Sequence, residues 1–400
     1  MRILVVHNRY RSAAPSGENR VVDQESAALT ARGHEVERFE YRSDDIDGWP
    51  ATRKATLPAR VVWNPAARRE LAATLRRFGP DVAHVHNTFP LLSPAVLYAC
   101  RDAHVPVVAT LHNYKLLCAS GDFFRAGAVC HDCAGGSLLP AFRHHCYRGS
   151  AAATAPVVAG NVVHRRTWRE LVSAYIFISA AQRRLMAGLR VRPDRAFVKP
   201  NFVPHVGLPD VPKRRQVAYV GRLDAAKGVP LLLAGWDRYR AVAGDDALRL
   251  VVAGDGPLGP DVRRWAEDRP SVDVLGHLTR SQCTDVLAAS RAAVLPSQWE
   301  ETFGLVAVEA MAVGVPSIAA AHGSFPDLVT DGRDGVLFRP GDAAELARAF
   351  TAVDRDPDRF AAYGLEARRT YETRFDVATN VDQLLGIYRF AVHNPARLAA

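Results

Sequence analysis

The sequence predicts an α/β chain of two doubly wound parallel-sheet domains. Three observations predict it. Short apolar runs alternate with segments of helical apolar spacing, the rhythm of βαβ units. That rhythm occurs twice, on either side of a proline-rich basic stretch at Lys199–Arg215. The length of 400 residues suits two cores better than one.

In the first half, Arg2–His7 reads as a strand and Glu18–Arg32 as a helix, with Val21, Val22, Glu25, Ala28 and Leu29 at helical spacing. Gly33-His34 stops it. His34–Tyr41 is strand-like, Pro65–Phe78 helical, Val82–His86 a strand, Pro94–Asp102 a helix and Val105–His112 a buried strand. Residues 118–148 hold four Cys, three His and four Gly with little periodicity, which marks an insertion. A basic helix over Val157–Ser173 and the strand Ala174–Ser179 follow. The second half restarts with strands at Val217–Val220, Leu248–Ala253, Val272–Leu275, Ala292–Pro296, Val315–Ala319 and Gly335–Phe338. Helices fall near 229–241, 260–268, 281–290, 303–313 and 343–353. The expected division is 1–200, 201–370, and a C-terminal helix over 371–400 that packs back on the first domain.

Composition narrows the function classes. Hydrophobic residues make up 48% and charged residues 23%, which excludes a disordered chain or a disulfide-dense miniature. No apolar run approaches the ~20 residues of a membrane span. The first residues do not read as a signal peptide, so the chain is expected in the cytoplasm. Residues 1–200 carry 28 basic and 16 acidic side chains, a net +12, and the remainder 23 and 26, a net −3. A basic first half fits an anionic partner or a solvated surface. The run His164-Arg165-Arg166-Thr-Trp168-Arg169 has the same two readings: contact with anionic lipid at the inner membrane face, or a solvated helix side with one buried Trp. Nucleic acid is not expected, because no aromatic-interleaved basic stripe is present.

Chemistry concentrates at strand ends. In Pro296-Ser-Gln-Trp-Glu-Glu301-Thr-Phe-Gly304, a strand gives way to a helix opening near Phe303. Free N–H groups of Phe303, Gly304 and Leu305 form an anion site, and Glu301 and Glu309 flank it. Such a pairing suits a ligand both phosphorylated and polyhydroxylated. The alternative is a merely capped helix. Gly221-Arg222-Leu223-Asp224-Ala-Ala-Lys227-Gly228 follows the first strand of the second domain, where two cations can grip a phosphate. Gly254-Asp255-Gly256-Pro257 is a further glycine turn, and Ser16-Gly17-Glu18 opens the first helix without the full dinucleotide fingerprint. His112 ends its strand, either as a site residue or as a satisfied structural histidine.

Taken in order, Gly221-Arg222-Leu223…Lys227-Gly228, Gly254-Asp255-Gly256-Pro257, Glu301…Glu309 at E-x7-E spacing and Asp331-Gly-Arg-Asp-Gly335 resemble the retaining GT-B glycosyltransferases of family 4. The opening His7-Asn8-Arg-Tyr10, Gly33-His34-Glu-Val36 and Thr110-Leu-His112-Asn113-Tyr114 resemble bacterial members that build surface polysaccharides or glycosylate small acceptors. The resemblance implies two Rossmann-like domains facing across a cleft. It implies a metal-independent, retaining hexosyltransferase that needs no cofactor, with a nucleotide-diphosphate sugar as donor and a hydroxyl of a saccharide, lipid-linked or natural-product acceptor. It assigns Arg222 and Lys227 to the diphosphate, Glu309 to the ribose and Glu301 to the sugar. Thr302, Phe303, Gly304 and Leu305 would surround phosphate or sugar, Gly254 and Gly256 would lie in the donor site, and Gly17 would line it. His277 and Leu278 would lie near the base, and His112 beside the reacting carbon. The sequence departs from the family pattern at Ser16-Gly17, Phe202-Val203-Pro204, Thr302, Ser324 and Asp327. The rival readings are a GT-B-type sugar-nucleotide epimerase and a non-enzymatic basic binding module.

Cys118, Cys130, Cys133 and Cys146 are spaced C-x11-C-x2-C-x12-C. Two readings stand: a structural zinc with four thiolates, or four reduced cysteines.

Overall fold

The computed structural model describes residues 1–12, 16–205, 207 and 211–396. It divides into two compact units. The first comprises Met1–Phe123, Cys130–Asn201 and the described residues from Asn380 onward; the second comprises Phe124–Val129 and Phe202–Thr379. Part of the stretch expected as a hinge, residues 206 and 208–210, lies outside the described residues.

The strands of the first unit's sheet are β1 (Arg2–Arg9), β2 (Glu35–Arg42), β3 (Val82–Asn87) and β4 (Val107–Leu111), then, after the small antiparallel hairpin of β5 (Phe124–Arg125) and β6 (Ala128–Val129), β7 (Ala174–Phe177) and β8 (Ala196–Val198). They lie in the order β2-β1-β3-β4-β7-β8, all parallel. The second unit has β9 (Gln216–Val220), β10 (Arg249–Ala253), β11 (Val272–Gly276), β12 (Ala292–Leu295), β13 (Ser317–Ala320) and β14 (Gly335–Phe338). Their order is β11-β10-β9-β12-β13-β14, again all parallel. Both sheets are doubly wound. In such sheets ligands bind beyond the carboxyl ends of the strands where the order reverses. That point lies between β1 and β3 in the first unit and between β9 and β12 in the second.

Local chemistry explains the elements. Every residue of β3 is buried, as expected for a strand covered on both faces. Helix Pro65–Phe78 starts with Asn64 accepting from Ala66 and Ala67 N–H, has Pro at its first position, and buries Ala67, Leu71, Leu75 and Phe78. In the second unit, the core between helices Val229–Ala243 and Ala343–Arg355 is built on Trp236, whose ring meets Phe350 edge-on at 5.2 Å.

Two expectations are revised, and a stretch given no element from the sequence holds structure. Residues 43–62 form a short 3₁₀ turn and the helices Ala51–Ala55 and Leu57–Val62. The helix over Val157–Ser173 is two helices, Ala151–Val163 and Arg165–Leu171, broken at His164. His164 is buried, its ring stacks on Trp63 and its Nδ1 lies 3.2 Å from Thr167 Oγ1. The C-terminal segment is likewise two helices, Pro357–Arg374 and Val377–His393, because Asp376 accepts from Ala378 and Thr379 N–H and starts a new one. Residues 397–400 lie outside the described residues. Among the described residues, no helix is long and apolar enough to cross a membrane.

Candidate functional site

In the second unit, loops at the carboxyl ends of four strands are laced together. Gly221 N–H donates to Ala253 O, Leu223 N–H to Asp255 O, Gly254 N–H to Gly276 O and Gln298 N–H to Ala226 O, all within 2.7–3.0 Å. The last bond joins the loops after β9 and β12, the two strands at the reversal. Gly228 makes that approach possible. Its φ is +76°, and a Cβ there would fall 1.8 Å from Pro296 O.

Lys227 and Glu301 meet at this junction. Lys227 Nζ donates to Glu301 Oε2 at 2.7 Å and lies 4.9 Å from the centre of the Trp299 ring. The same carboxylate oxygen accepts from Trp299 Nε1 at 2.9 Å and Ser297 Oγ at 3.3 Å. Glu301 is buried, so these donors replace its lost hydration. Arg222 is largely exposed and forms an ion pair with Asp224. Asp224 also accepts from Lys227 N–H at 2.8 Å, so one carboxylate orders the whole Arg222–Lys227 turn.

The helix after β12 runs Leu305–Ala312, with Gly304 at its cap and no side chain capping it. Phe303 therefore precedes the helix rather than opening it, and Glu309 stands just over one turn in. Gly304 has φ +86°, and a Cβ would meet Phe325 Cε1 at 2.7 Å. Ser324, one of the departures noted above, donates its hydroxyl to Phe303 O at 2.8 Å and its N–H to Glu301 O at 2.9 Å. The serine thus pins the loop that carries Glu301 and Thr302. Glu309 is half-buried, His277 exposed and Leu278 half-buried just beyond β11. Gly256 takes a 2.8 Å bond from its own N–H to Asp255 Oδ1.

In the first unit, the reversal point is lined by polar groups. Ser16 accepts from Asn19 N–H and caps the helix Gly17–Ala31, which accounts for a serine before Gly17. His112 follows β4 and is buried, with its Nε2 2.9 Å from His86 Nδ1. Burial, and then the charges of neighbouring His7, His84 and Lys199, hold His112 well below its ordinary 6.5. Glu18 is buried, and desolvation pushes its carboxyl up to about 8 against hydrogen bonds from Asn113 and Tyr10. Lys115 is pulled down to about 8, also by burial, and sits 4.6 Å from the ring centres of both Phe89 and Tyr147.

None of the four clustered cysteines is in a disulfide. They share one neighbourhood: burial raises the Cys133 thiol to about 11, and Cys118, Cys146 and Cys130 add to the rise. Among the described residues, the three-residue set whose ligand atoms all lie within 4.8 Å of one another is Glu25, His84 and His86 instead. The basic run is mostly structural. Trp168 is buried, Arg165 bonds Gly136 O, Arg169 Nε donates to Leu189 O at 3.0 Å, and Arg166 pairs with Glu170.

Sequence reasoning passed over Asp224, Ser297 and Trp299. The signal for Asp224 was available: an Asx residue three before Lys227 can close a turn on its N–H. It also passed over Glu25, His86 and Lys199, which come from separate elements and carry no local signature.

Two family descriptions match this chain. Residues 15–205 match Glycosyltransferase Family 4, and residues 214–356 match Glycosyl transferases group 1. The chain belongs to glycosyltransferase family 4. Among its relatives, a D-inositol 3-phosphate glycosyltransferase of Corynebacterium kroppenstedtii is 33% identical over 44% of this chain and 40% of its own length. The chain thus spans less than half the length of that relative. A glycogen synthase of Mycobacterium tuberculosis is 26% identical over 97% of this chain and 94% of its own. Among solved structures, HepE of Anabaena in complex with UDP superposes with a TM-score of 0.66 at 20% identity, covering 96% of this chain and 99% of that one. The family's GT-B fold is therefore the fold of this chain.

Proposed function

We propose that this chain is a retaining, metal-independent glycosyltransferase that moves a hexose-type sugar from a nucleotide-diphosphate donor to an acceptor hydroxyl. One observation carries the reading: Lys227 Nζ and Glu301 Oε2 are held 2.7 Å apart by the loops that meet at the strand-order reversal of the second sheet. A cation for a diphosphate and a carboxylate for sugar hydroxyls stand at the position where doubly wound sheets take nucleotides. The family relatives and the UDP bound to HepE support the same donor class.

The chemistry follows from charge. Breaking the anomeric C–O bond develops positive charge on the sugar and negative charge on the departing diphosphate. Lys227, Arg222 and the uncapped start of Leu305–Ala312 would stabilise the latter. Asp224 and Glu301 hold the two cations in place beforehand, so little reorganisation is left for the reaction. If the leaving phosphate takes the acceptor's proton, attack and departure share one face of the sugar and configuration is retained.

The acceptor is a saccharide, a lipid-linked saccharide or a natural product. Contact with an anionic bilayer is part of the proposal. It rests on Leu139, Phe142, Val162 and Val163, which are 72, 46, 52 and 62% exposed in the basic first unit. Cys118, Cys130, Cys133 and Cys146 are proposed to hold a structural zinc, supported by their spacing and shared neighbourhood.

The test is incubation of the purified chain with UDP-, GDP-, dTDP- and ADP-sugars in EDTA, with and without saccharide acceptors. Transfer with the donor's anomeric configuration kept in the product is expected. Donor consumption that ignores acceptor would overturn the transfer reading in favour of epimerisation.

A further inference from the structure

In the second unit, each cation of the Arg222–Lys227 turn already has a carboxylate. Arg222 pairs with Asp224, and Lys227 Nζ with Glu301 Oε2 at 2.7 Å. The two pairs sum to zero charge, so the turn is not built as the strongest anion trap its cations could make. Asp224 has a local task, since it accepts from Lys227 N–H at 2.8 Å and closes the turn. Glu301 has no task of that kind. It reaches Lys227 from the loop after β12, 74 residues further along the chain.

Glu301 is fixed where it stands. Trp299 Nε1 donates to its Oε2 at 2.9 Å and Ser297 Oγ at 3.3 Å. Ser297 O lies 2.6 Å from His322 Nε2, and Glu301 O accepts from Ser324 N–H at 2.9 Å. Lys227 also keeps holds that do not involve Glu301: its N–H on Asp224, and its ammonium 4.9 Å from the centre of the Trp299 ring. The carboxylate therefore stays in place when an anion arrives. An ammonium carries three N–H donors, so Lys227 can hold an anion and Glu301 together. A phosphate oxygen bonded to the same ammonium would lie within ~6 Å of Glu301 Oε2, the sum of two hydrogen-bond lengths. The Glu301 side chain is 9% exposed and that of Lys227 29%, so water screens this repulsion incompletely.

We propose that Glu301 is a selectivity residue that distinguishes the intact donor from the nucleoside diphosphate left after transfer: its charge weakens the grip of Lys227 on a diphosphate that has lost its sugar, and so hastens product release. This rests on the glycosyltransferase reading, in which the diphosphate meets Lys227 and sugar hydroxyls meet Glu301. A sugar nucleotide brings hydroxyl donors to the carboxylate, and such charge-assisted bonds offset the repulsion. Once the sugar has moved to the acceptor, the same carboxylate faces the same phosphate without them. The repulsion then acts on the product alone, and the weaker hold shows mainly as faster dissociation.

The experiment is calorimetric titration, in EDTA, of UDP, GDP, dTDP and ADP and of their glucose conjugates into the full chain and into Glu301→Gln, Glu301→Ala and Glu301→Asp. Gln keeps the shape and an acceptor oxygen for Trp299 and Ser297; Asp keeps the charge. The nucleoside diphosphate that binds the wild type should bind about tenfold tighter to Glu301→Gln, and tighter also to Glu301→Ala, with slower dissociation in a stopped-flow chase. Its glucose conjugate should bind these two variants no tighter than the wild type. Glu301→Asp should hold the diphosphate within about threefold of the wild type. Diphosphate affinity unchanged or lower in both uncharged variants would overturn the proposal. So would equal tightening in Glu301→Asp, which would show that shape and not charge is read. If the wild type transfers sugar and the uncharged variants do not tighten, the selectivity role fails and the glycosyltransferase reading stands; if no diphosphate of the series binds the wild type, the donor assignment fails and the selectivity role with it.

Discussion

Glu18 offers a quantitative test of how the first unit treats its buried polar groups. Its carboxyl sits at the start of helix Gly17–Ala31, with Oε2 accepting from Asn113 Nδ2 at 3.3 Å and Oε1 3.9 Å from His7 Nδ1. Burial raises it from its ordinary 4.5 to about 8. Between those two values the native chain keeps a proton that the unfolded chain has released. The associated stability is full below pH 4.5 and is lost as pH rises toward 8. Each pH unit in that window costs ~1.4 kcal/mol, so from pH 5 to pH 8 the loss is about 4 kcal/mol. Glu18→Gln preserves the shape and removes the titration. Urea unfolding of both chains at pH 5, 6, 7 and 8 should show the variant gaining on the wild type by about 4 kcal/mol across the range. Lys115 is lowered to about 8 and titrates at the upper end of this range in both chains, so the slope between pH 5 and 7 is the decisive part, and the buried histidines are common to both chains. Stability curves that stay parallel from pH 5 to 8 would refute the reasoning.

Other outcomes follow from the same geometry. Lys227→Ala or Glu309→Ala should each lower sugar transfer at least about a hundredfold, the range of losing one preorganised electrostatic group, read as kcat/KM with a saturating acceptor. Gly228→Ala should lower the melting temperature and weaken nucleotide binding together, since its Cβ would collide with Pro296 O and its φ is +76°. Elemental analysis of protein purified without chelator should find about one zinc per chain, lost when Cys130 and Cys133 are both changed to Ser; a metal-free preparation would remove the zinc proposal. Sedimentation with anionic vesicles should fall in Phe142→Ser with Val163→Ser and should fade with added salt.

The fold was legible where the sequence was locally consistent. Residues 82–86 and 107–111 are runs that can be buried on both faces, and the parallel sheet does bury them. The inner strands of the second unit read equally well for the same reason. What escaped notice were elements set by tertiary contact. The short helices in 43–62 lack a buried face of their own, and the break at His164 depends on a ring stacked on Trp63, a hundred residues away in sequence. The same divide runs through the site. Gly221–Gly228 and Glu301–Glu309 are contiguous motifs, so their chemistry could be read directly. The Glu25–His86–His112 chain is assembled from a helix and two strands, and Lys199 reaches it from after β8. No spacing rule joins those positions, and only the folded sheet brings them together.

Calorimetric titration of a nucleoside diphosphate and its sugar into the chain in EDTA, beside Lys227→Ala, tests the donor assignment most directly. The account predicts one site per chain for the wild type and at least tenfold weaker affinity in the variant. Equal affinity in the two proteins, or no binding by the wild type to any of the UDP, GDP, dTDP and ADP series, would contradict it.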